Sequence, residues 1–484
     1  MRNFFGLKKK AVDEENVEKN LSVDAVNVNI GEATDNLTPT NESRAEESIE
    51  GFVLDEKDPK EIFANVTSDS DDNSSVAAEF GEKIDSHIPD GGLQAWLQVV
   101  GSWCAIFMTF GLSTGTGVLM QWLSKNYLAD ISESQISWIF SIQLFLFYFL
   151  GVGLGPIVDA VGVRVIVIPG TIGWVAALFI MSACKKYYQF ILCFSILGGI
   201  SSACLFNPSV AVLTHWFSTK RGLALGIAVS GSGVGGIVFT QIFNNMLTTV
   251  GYGWAVRTVA FVVLASGVIA CLTLNSRHTK RSINWIEAKP DIRALMEPSF
   301  FFCVFGLFFV EWGLFVPKQY IVPYAVMEGY SRDFGSDLVS YLSVASVVAR
   351  VFAGLLSDRI GSFNLMVVCA AITGIMSLAV WLPAGSTKGG LLAFAILFGG
   401  FSGACTSLSL ITVPQLSNVK NAGRRYGTAY MIASFAVLTG IPIAGTLTGN
   451  GYLGMIIFAG CVYLAGSLCF LISRCLAAGK KRIF

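Results

Sequence analysis

From about residue 96 to residue 474 the chain is a succession of apolar runs, each ended by a few polar residues or by Gly and Pro. A bilayer-spanning helix needs about 20 predominantly apolar residues. Twelve runs meet that length, at approximately 96–120, 134–158, 161–183, 187–213, 222–245, 253–274, 299–322, 336–356, 363–383, 389–412, 426–447 and 452–474. The pattern predicts an all-α membrane protein with twelve transmembrane helices in two pseudo-symmetric halves of six. The longest internal connection is basic and falls between the sixth and seventh runs. The expected organisation is a disordered acidic cytosolic tail (1–88), an N-terminal six-helix half (89–274), a cytosolic linker (275–298), a C-terminal six-helix half (299–475) and a basic cytosolic tail (476–484).

Composition agrees: 53% of residues are hydrophobic and only 14% charged, against about 25% charged in soluble domains. A formal net charge of zero hides a split. Residues 1–90 hold 22 of the 33 acids but only 9 of the 33 bases, so the tail is acidic and the membrane part basic. Such a tail cannot bury enough apolar surface to order itself. Lys8, Lys9 and Lys10 are not followed by an apolar stretch, so no signal peptide is expected and the tail should remain in the cytosol. It is the natural place for regulatory partners. Cytosolic loops carry an excess of Lys and Arg. With both termini inside, sixteen such residues fall in cytosolic segments and five in outer loops. An integral multi-pass protein follows, with the plasma membrane favoured over the vacuolar one.

Enzymatic chemistry finds no support. His87, His215 and His278 lie in the tail or in loops, no phosphate-binding loop of the Gly-x-x-x-x-Gly-Lys-Ser/Thr kind is present, and no metal cluster shares a helix face. No cofactor, metal or nucleic-acid partner is expected. The eleven Cys show no metal spacing and are read as small buried hydrophobes.

The chain repeats itself. Gly155, Asp159 and Gly162, followed by Arg164, stand after the second run, and Gly354, Asp358 and Gly361 stand at the same spacing after the eighth. Gly251-Tyr252 and Gly451-Tyr452 precede the sixth and twelfth runs. Lys220-Arg221-Gly222 and Arg424-Arg425-Tyr426-Gly427 precede the fifth and eleventh. Three echoes at nearly one offset imply a duplicated six-helix unit, the plan of alternating-access carriers. Glycines at such joints permit close approach and positive φ. The Asp can meet the positive N-terminal end of a neighbouring helix, and Arg164 can pair with it. The loop reads as a latch on the cytosolic side.

The two loops resemble the major facilitator superfamily signature, Gly-x-x-x-Asp-x-x-Gly-x-Arg. The second copy has Phe363 where the Arg would fall. Asp90-Gly91-Gly92 followed by Trp96 resembles the threshold motif of the monocarboxylate transporter family, especially its fungal branch. "HWFSTKRGLALGIAVSGSGVGG" at 215–236, with Lys220 and Arg221, is similar to that family's second signature, and "RRYGTAY" and "GIPIAG" add to the likeness. The resemblance covers 89–475. Within it, Asp90 is read as a helix cap, Gly91 and Gly92 as a turn into the membrane, and Trp96 as a headgroup-belt residue.

Ionisable residues inside spans are costly and by default functional candidates. Arg350 lies deep in the eighth run, and the resemblance implies that it holds a substrate carboxylate, a role suited to a bidentate guanidinium. Glu311, in the middle of the seventh run, is a candidate proton carrier. Lys318 lies two turns later on the same side. Pairing of Glu311 with Lys318 or Arg350 would lower the burial cost. Gln143, Asn207 and Trp312 are further substrate candidates. Two positions depart from the family's proton-coupled members: Ser346 stands where they carry an Asp, and Thr114 where they carry a Lys. The expected function is therefore a secondary active or facilitative transporter of a small organic anion, a monocarboxylate first, with protons as a candidate coupling partner. The alternatives are a riboflavin-type heterocycle facilitator and, from another class, a transporter-like nutrient sensor.

Overall fold

Twelve helices among the described residues are long and apolar enough to cross a bilayer. They are α1 Leu93–Lys125, α2 Glu133–Gly155, α3 Val163–Met181, α4 Tyr187–Trp216, α5 Arg221–Thr249, α6 Tyr252–Thr273, α7 Pro298–Met327, α8 Arg332–Ile360, α9 Ser362–Ala384, α10 Lys388–Gln415, α11 Gly423–Leu447 and α12 Leu453–Ala477. The computed structural model describes residues 91–217, 220–275, 289–417, 422–448 and 451–478. The N-terminal tail with Asp90, residues 276–288 of the linker and residues 479–484 lie outside the described residues.

Several helices run past the apolar stretches that announce them, because polar residues cap them outside the apolar core. Before α2, the Ser132 hydroxyl accepts the Gln135 backbone N–H while the Gln135 side-chain oxygen accepts the Ser132 N–H, each at 3.3 Å. This reciprocal box satisfies two donors that the helix start would leave unpaired. Ser331 and Thr387 cap α8 and α10 in the same way from one side.

Glycine sets the joints. Gly162 before α3 (φ 87°) and Gly361 before α9 (φ 90°) share one backbone conformation, as do Gly251 before α6 (φ 84°) and Gly451 before α12 (φ 96°). A side chain is strained at such φ. The echoes in the sequence are therefore the same turn made twice.

Helix α1 packs on α4, α5 and α6, and α3 packs on α4 and α6. In the second set α7 packs on α11 and α12, α8 on α10, and α9 on α10 and α12. The two sets meet most extensively along α5–α8 and α2–α11. The α5–α8 seam is backbone against backbone. A Cβ on Gly222 would stand 2.7 Å from the Gly354 carbonyl oxygen, and one on Gly226 2.7 Å from that of Arg350. Small residues permit this approach in a membrane, where dispersion rather than hydrophobic force drives helix association. The counterpart Gly155 differs, for no described atom lies within 4 Å of its Cβ position. Close approach explains Gly354 and not Gly155.

Three helices carry a π-helical segment: Phe107–Gly111 in α1, Ile191–Leu197 in α4 and Ser377–Trp381 in α9. Such turns insert a residue and re-aim side chains, frequently at functional sites. The α1 segment aims Phe110 at the seam between the two sets.

Candidate functional site

Between the two sets lies a cavity of only about 10 Å³, room for one water-sized sphere. The α1–α6 set presents Ile106, Phe110, Tyr148, Phe206 and Val229 to it, and the α7–α12 set presents Glu311, Thr406, Leu410 and Tyr430. Organic solutes need pockets of about 300–1,000 Å³, so the sets must part before one can enter.

Three charged side chains among the described residues are fully buried: Glu311 (2% exposed), Lys318 (2%) and Arg350 (1%). All three belong to α7–α12, and each is covered by a neutral group of α1–α6. Tyr148 donates its hydroxyl to Glu311 Oε2 at 3.2 Å. The Lys318 ammonium lies 5.6 Å from the centre of the Phe110 ring and 5.5 Å from that of Phe315. The Arg350 guanidinium donates through Nη1 to the Val229 carbonyl at 3.3 Å.

The covers are incomplete. Lys318 Nζ and Arg350 Nε have no hydrogen-bond acceptor. Among the described residues the ion pairs within 4 Å are those of Arg425 with Asp291 and with Glu297, so Glu311 meets Tyr148 rather than Lys318 or Arg350. Burying an ion costs several kcal/mol, and a desolvated cation–π contact returns about 2 kcal/mol. Among the described residues neither Lys318 nor Arg350 has a carboxylate within ion-pair distance, and Glu311 is the carboxyl group that shares their seam.

Tyr148 and Tyr430 come from opposite sets and stack with ring centroids 5.4 Å apart and planes inclined by 20°. The Tyr430 hydroxyl lies 2.9 Å from Ser409 Oγ. Reasoning from sequence missed both tyrosines. The signal for Tyr148 was a single hydroxyl in the otherwise apolar "LFLFYFL", and Tyr430 closes the quoted "RRYGTAY".

The other candidates lie apart from these charges. Gln143 donates to Ser202 Oγ at 3.1 Å and so links α2 to α4. Asn207 donates to the Phe147 carbonyl at 3.5 Å and to that of Ala203 at 3.2 Å. Both bridge helices of one set. Trp312 turns away from the cavity, its ring 5.2 Å from Phe458 and 5.3 Å from Phe308.

The latch residues gather where α6 ends and α7 begins, here termed the linker end. The Asp358 carboxylate accepts the backbone N–H groups of Gly222 and Leu223 at the start of α5. Helix N-termini leave such donors free and favour negative charge, and this contact runs from α8 of one set to α5 of the other. Lys220 is exposed at the helix start, and Arg221 is half-buried with its Nε unpartnered. The side chain of Asp159 lies outside those described. Arg164 donates to the carbonyls of Leu274 (2.9 Å) and Leu272 (3.0 Å), closing the C-terminal end of α6. At the start of α1 the cap position is Gly92 (φ 89°), without a side-chain cap bond of its own, and Asp90 lies outside the described residues. Gly91 has open space around it. Trp96 packs edge-on against Phe217 at 5.4 Å, which joins the first motif to the second.

The opposite end has contacts between the sets too. A Cβ on Gly117 would meet the carbonyls of Lys318 and Gln319 at 3.1 Å, and Asn244 donates to Asp333 at 3.1 Å. Contacts between the two sets thus lie toward both ends of the seam.

The sequence matches the family model described as Major Facilitator Superfamily over residues 102–394 and 319–480. It is similar to the MFS transporter asaE of Aspergillus flavus, with 35% identity over 398 residues that cover 82% of this chain and 90% of that protein. It is similar to the Fujikurins efflux protein of Gibberella fujikuroi, at 36% over 412 residues, 84% of this chain and 88% of that one. The MFS-type transporter pynF of Aspergillus niger is 36% identical over 406 residues, 82% and 93% of the two chains.

Proposed function

The chain belongs to the major facilitator superfamily, and from that premise we propose that it is a secondary carrier of a small organic anion. It works by alternating access, the α1–α6 and α7–α12 halves rocking about the enclosed site, with the linker end in the cytosol. The observation that carries the anion reading is the pair of buried cations, Lys318 and Arg350, with no carboxylate within ion-pair distance. A carboxylate or similar head would supply the acceptors that their unpartnered nitrogens lack. Ser346, standing where the proton-coupled monocarboxylate carriers have an Asp, leaves Arg350 free for a ligand. The likeness to that family's motifs supports a monocarboxylate as the first class to try. The Lys and Arg count supports the orientation.

Glu311 is the proposed proton carrier. The titratable groups around it are Tyr148, which bonds to it, Lys318 of its own helix, Cys405 of α10, Tyr426 and Tyr430 of α11 and Tyr463 of α12. The printed name of one relative speaks of efflux, and this favours outward movement of the anion from the cytosol. The test is transport by the purified full chain in liposomes under an imposed pH gradient, comparing wild type with Arg350→Ala and Glu311→Gln. Anion flux driven by the gradient should be lost in the first variant and uncoupled from pH in the second. Anion flux unaffected by Arg350→Ala would overturn the reading.

A further inference from the structure

The division of labour across the seam says more about the solute. Every fully buried charge among the described residues sits on the C-terminal half. Of these charges Glu311 lines the cavity, and the N-terminal half faces it with the rings of Phe110, Tyr148 and Phe206. Phe110 of α1, Phe147 and Tyr148 of α2, and Phe206 of α4 interlock, with centroid separations of 4.9 Å for Phe147–Phe206, 5.1 Å for Phe147–Tyr148, 6.1 Å for Phe110–Phe147 and 6.2 Å for Phe110–Phe206. Three helices therefore build one aromatic wall, and the π-helical turn of α1 places Phe110 within it.

Phe110 has two faces of use. It lines the cavity and also covers the Lys318 ammonium. When the halves part, α1 carries that ring away from α7, and Lys318 is bared beside an aromatic surface. Arg350 loses its Val229 carbonyl by the same movement, since Val229 belongs to α5. The opened site presents two cations and the Glu311 carboxyl group on one side and the rings of Phe110, Tyr148 and Phe206 on the other. A short, fully hydrated acid such as lactate would satisfy the cations and leave the wall wet.

We infer that the transported solute is an amphipathic organic anion, its charged head held by Lys318 and Arg350 and a flat or ring-bearing apolar body laid against Phe110, Tyr148 and Phe206. This rests on the anion-carrier reading above and narrows its substrate class from short monocarboxylates to acids with an apolar body. Phe110 and Phe206 are then specificity-determining residues, and Lys318 is an anchor in its own right.

The test is binding of labelled 3-phenylpropionate to the purified full chain in detergent, displaced by lactate, pyruvate, toluene-4-sulfonate or riboflavin. Burying one phenyl group corresponds to roughly a ten- to hundredfold gain in affinity. The expected result is binding of 3-phenylpropionate at least tenfold tighter than lactate, competition by toluene-4-sulfonate, and a preference that narrows in Phe206→Leu and Phe110→Leu. These leucines keep apolar bulk while removing the ring, and thermal unfolding of each variant reports folding separately. Lactate binding as tightly as 3-phenylpropionate would overturn the amphipathic solute and leave the anion carrier standing. Displacement by riboflavin alone, or no binding of any anion by folded protein, would overturn both.

Discussion

Tyr148 on α2 donates its hydroxyl to Glu311 on α7 at 3.2 Å, and this hydrogen bond crosses the seam between the two halves inside the cavity wall. A neutral group of one half thereby holds the carboxyl group of the other. A hydrogen bond to a charged group contributes about 1.5–3 kcal/mol, equivalent to roughly ten- to hundredfold in the balance between closed and open seams. Removing only the hydroxyl, in Tyr148→Phe, keeps the stack on Tyr430. Transport by Tyr148→Phe should change about tenfold or more with normal expression and folding. Flux equal to wild type would show that the bond is incidental to the cycle.

Arg350 is held by one carbonyl and packed against Gly233, whose Cβ position lies 3.2 Å from Arg350 Nη1. A lysine there keeps the charge and loses the planar fork. Arg350→Lys should raise the KM for the anion by about tenfold, the value of roughly one charge-assisted hydrogen bond. Concentration-dependent uptake in liposomes measures it. An unchanged KM would place the anion elsewhere.

The α5–α8 seam at the linker end leaves no room for a methyl group. Adding one to Gly226, in Gly226→Ala, forces the helices apart against the Arg350 carbonyl, an overpacking cost of about 1–3 kcal/mol. The linker end should then open more readily. A cysteine introduced at Val229, on the cavity wall, should react faster with a small thiol reagent added from that side. An unaltered reaction rate would mean that the seam does not govern access.

Gly162 and Gly361 predict a matched pair of effects. Alanine at either must adopt φ near +90°, costing about 1–2 kcal/mol. Gly162→Ala and Gly361→Ala should each lower the unfolding midpoint of the purified protein by a similar amount, whereas Gly155→Ala should not, since its Cβ position is open. A loss at Gly155 as large as at Gly162 would contradict the backbone account.

The twelve spans are legible in the residues alone, because lipid demands about 20 apolar residues wherever a helix crosses it. So are the three echoes, since a turn that only glycine can make leaves glycine at the same place twice. The three buried charges are legible as well, for ionisable residues such as Arg350, Glu311 and Lys318 stand out in apolar runs.

Tertiary structure decided who meets whom. Glu311 and Lys318 share a helix and a face, and their spacing suggested a pair. Glu311 instead bonds to Tyr148, 163 positions away, and Lys318 is roofed by Phe110. Gln143 and Asn207 looked equal to these as polar residues in spans, yet each is consumed in a bond within one half. Arg164 caps α6, a role that nothing in its own segment announces. In each case the partner comes from a distant helix, and pairing across helices depends on how they rotate and how closely they approach. Small residues such as Gly222 and Gly354, and the π turn at Phe107–Gly111, set those rotations and distances. Their effect appears only when the packed helices are seen together, because the energy lies in contacts between segments that no local pattern encodes.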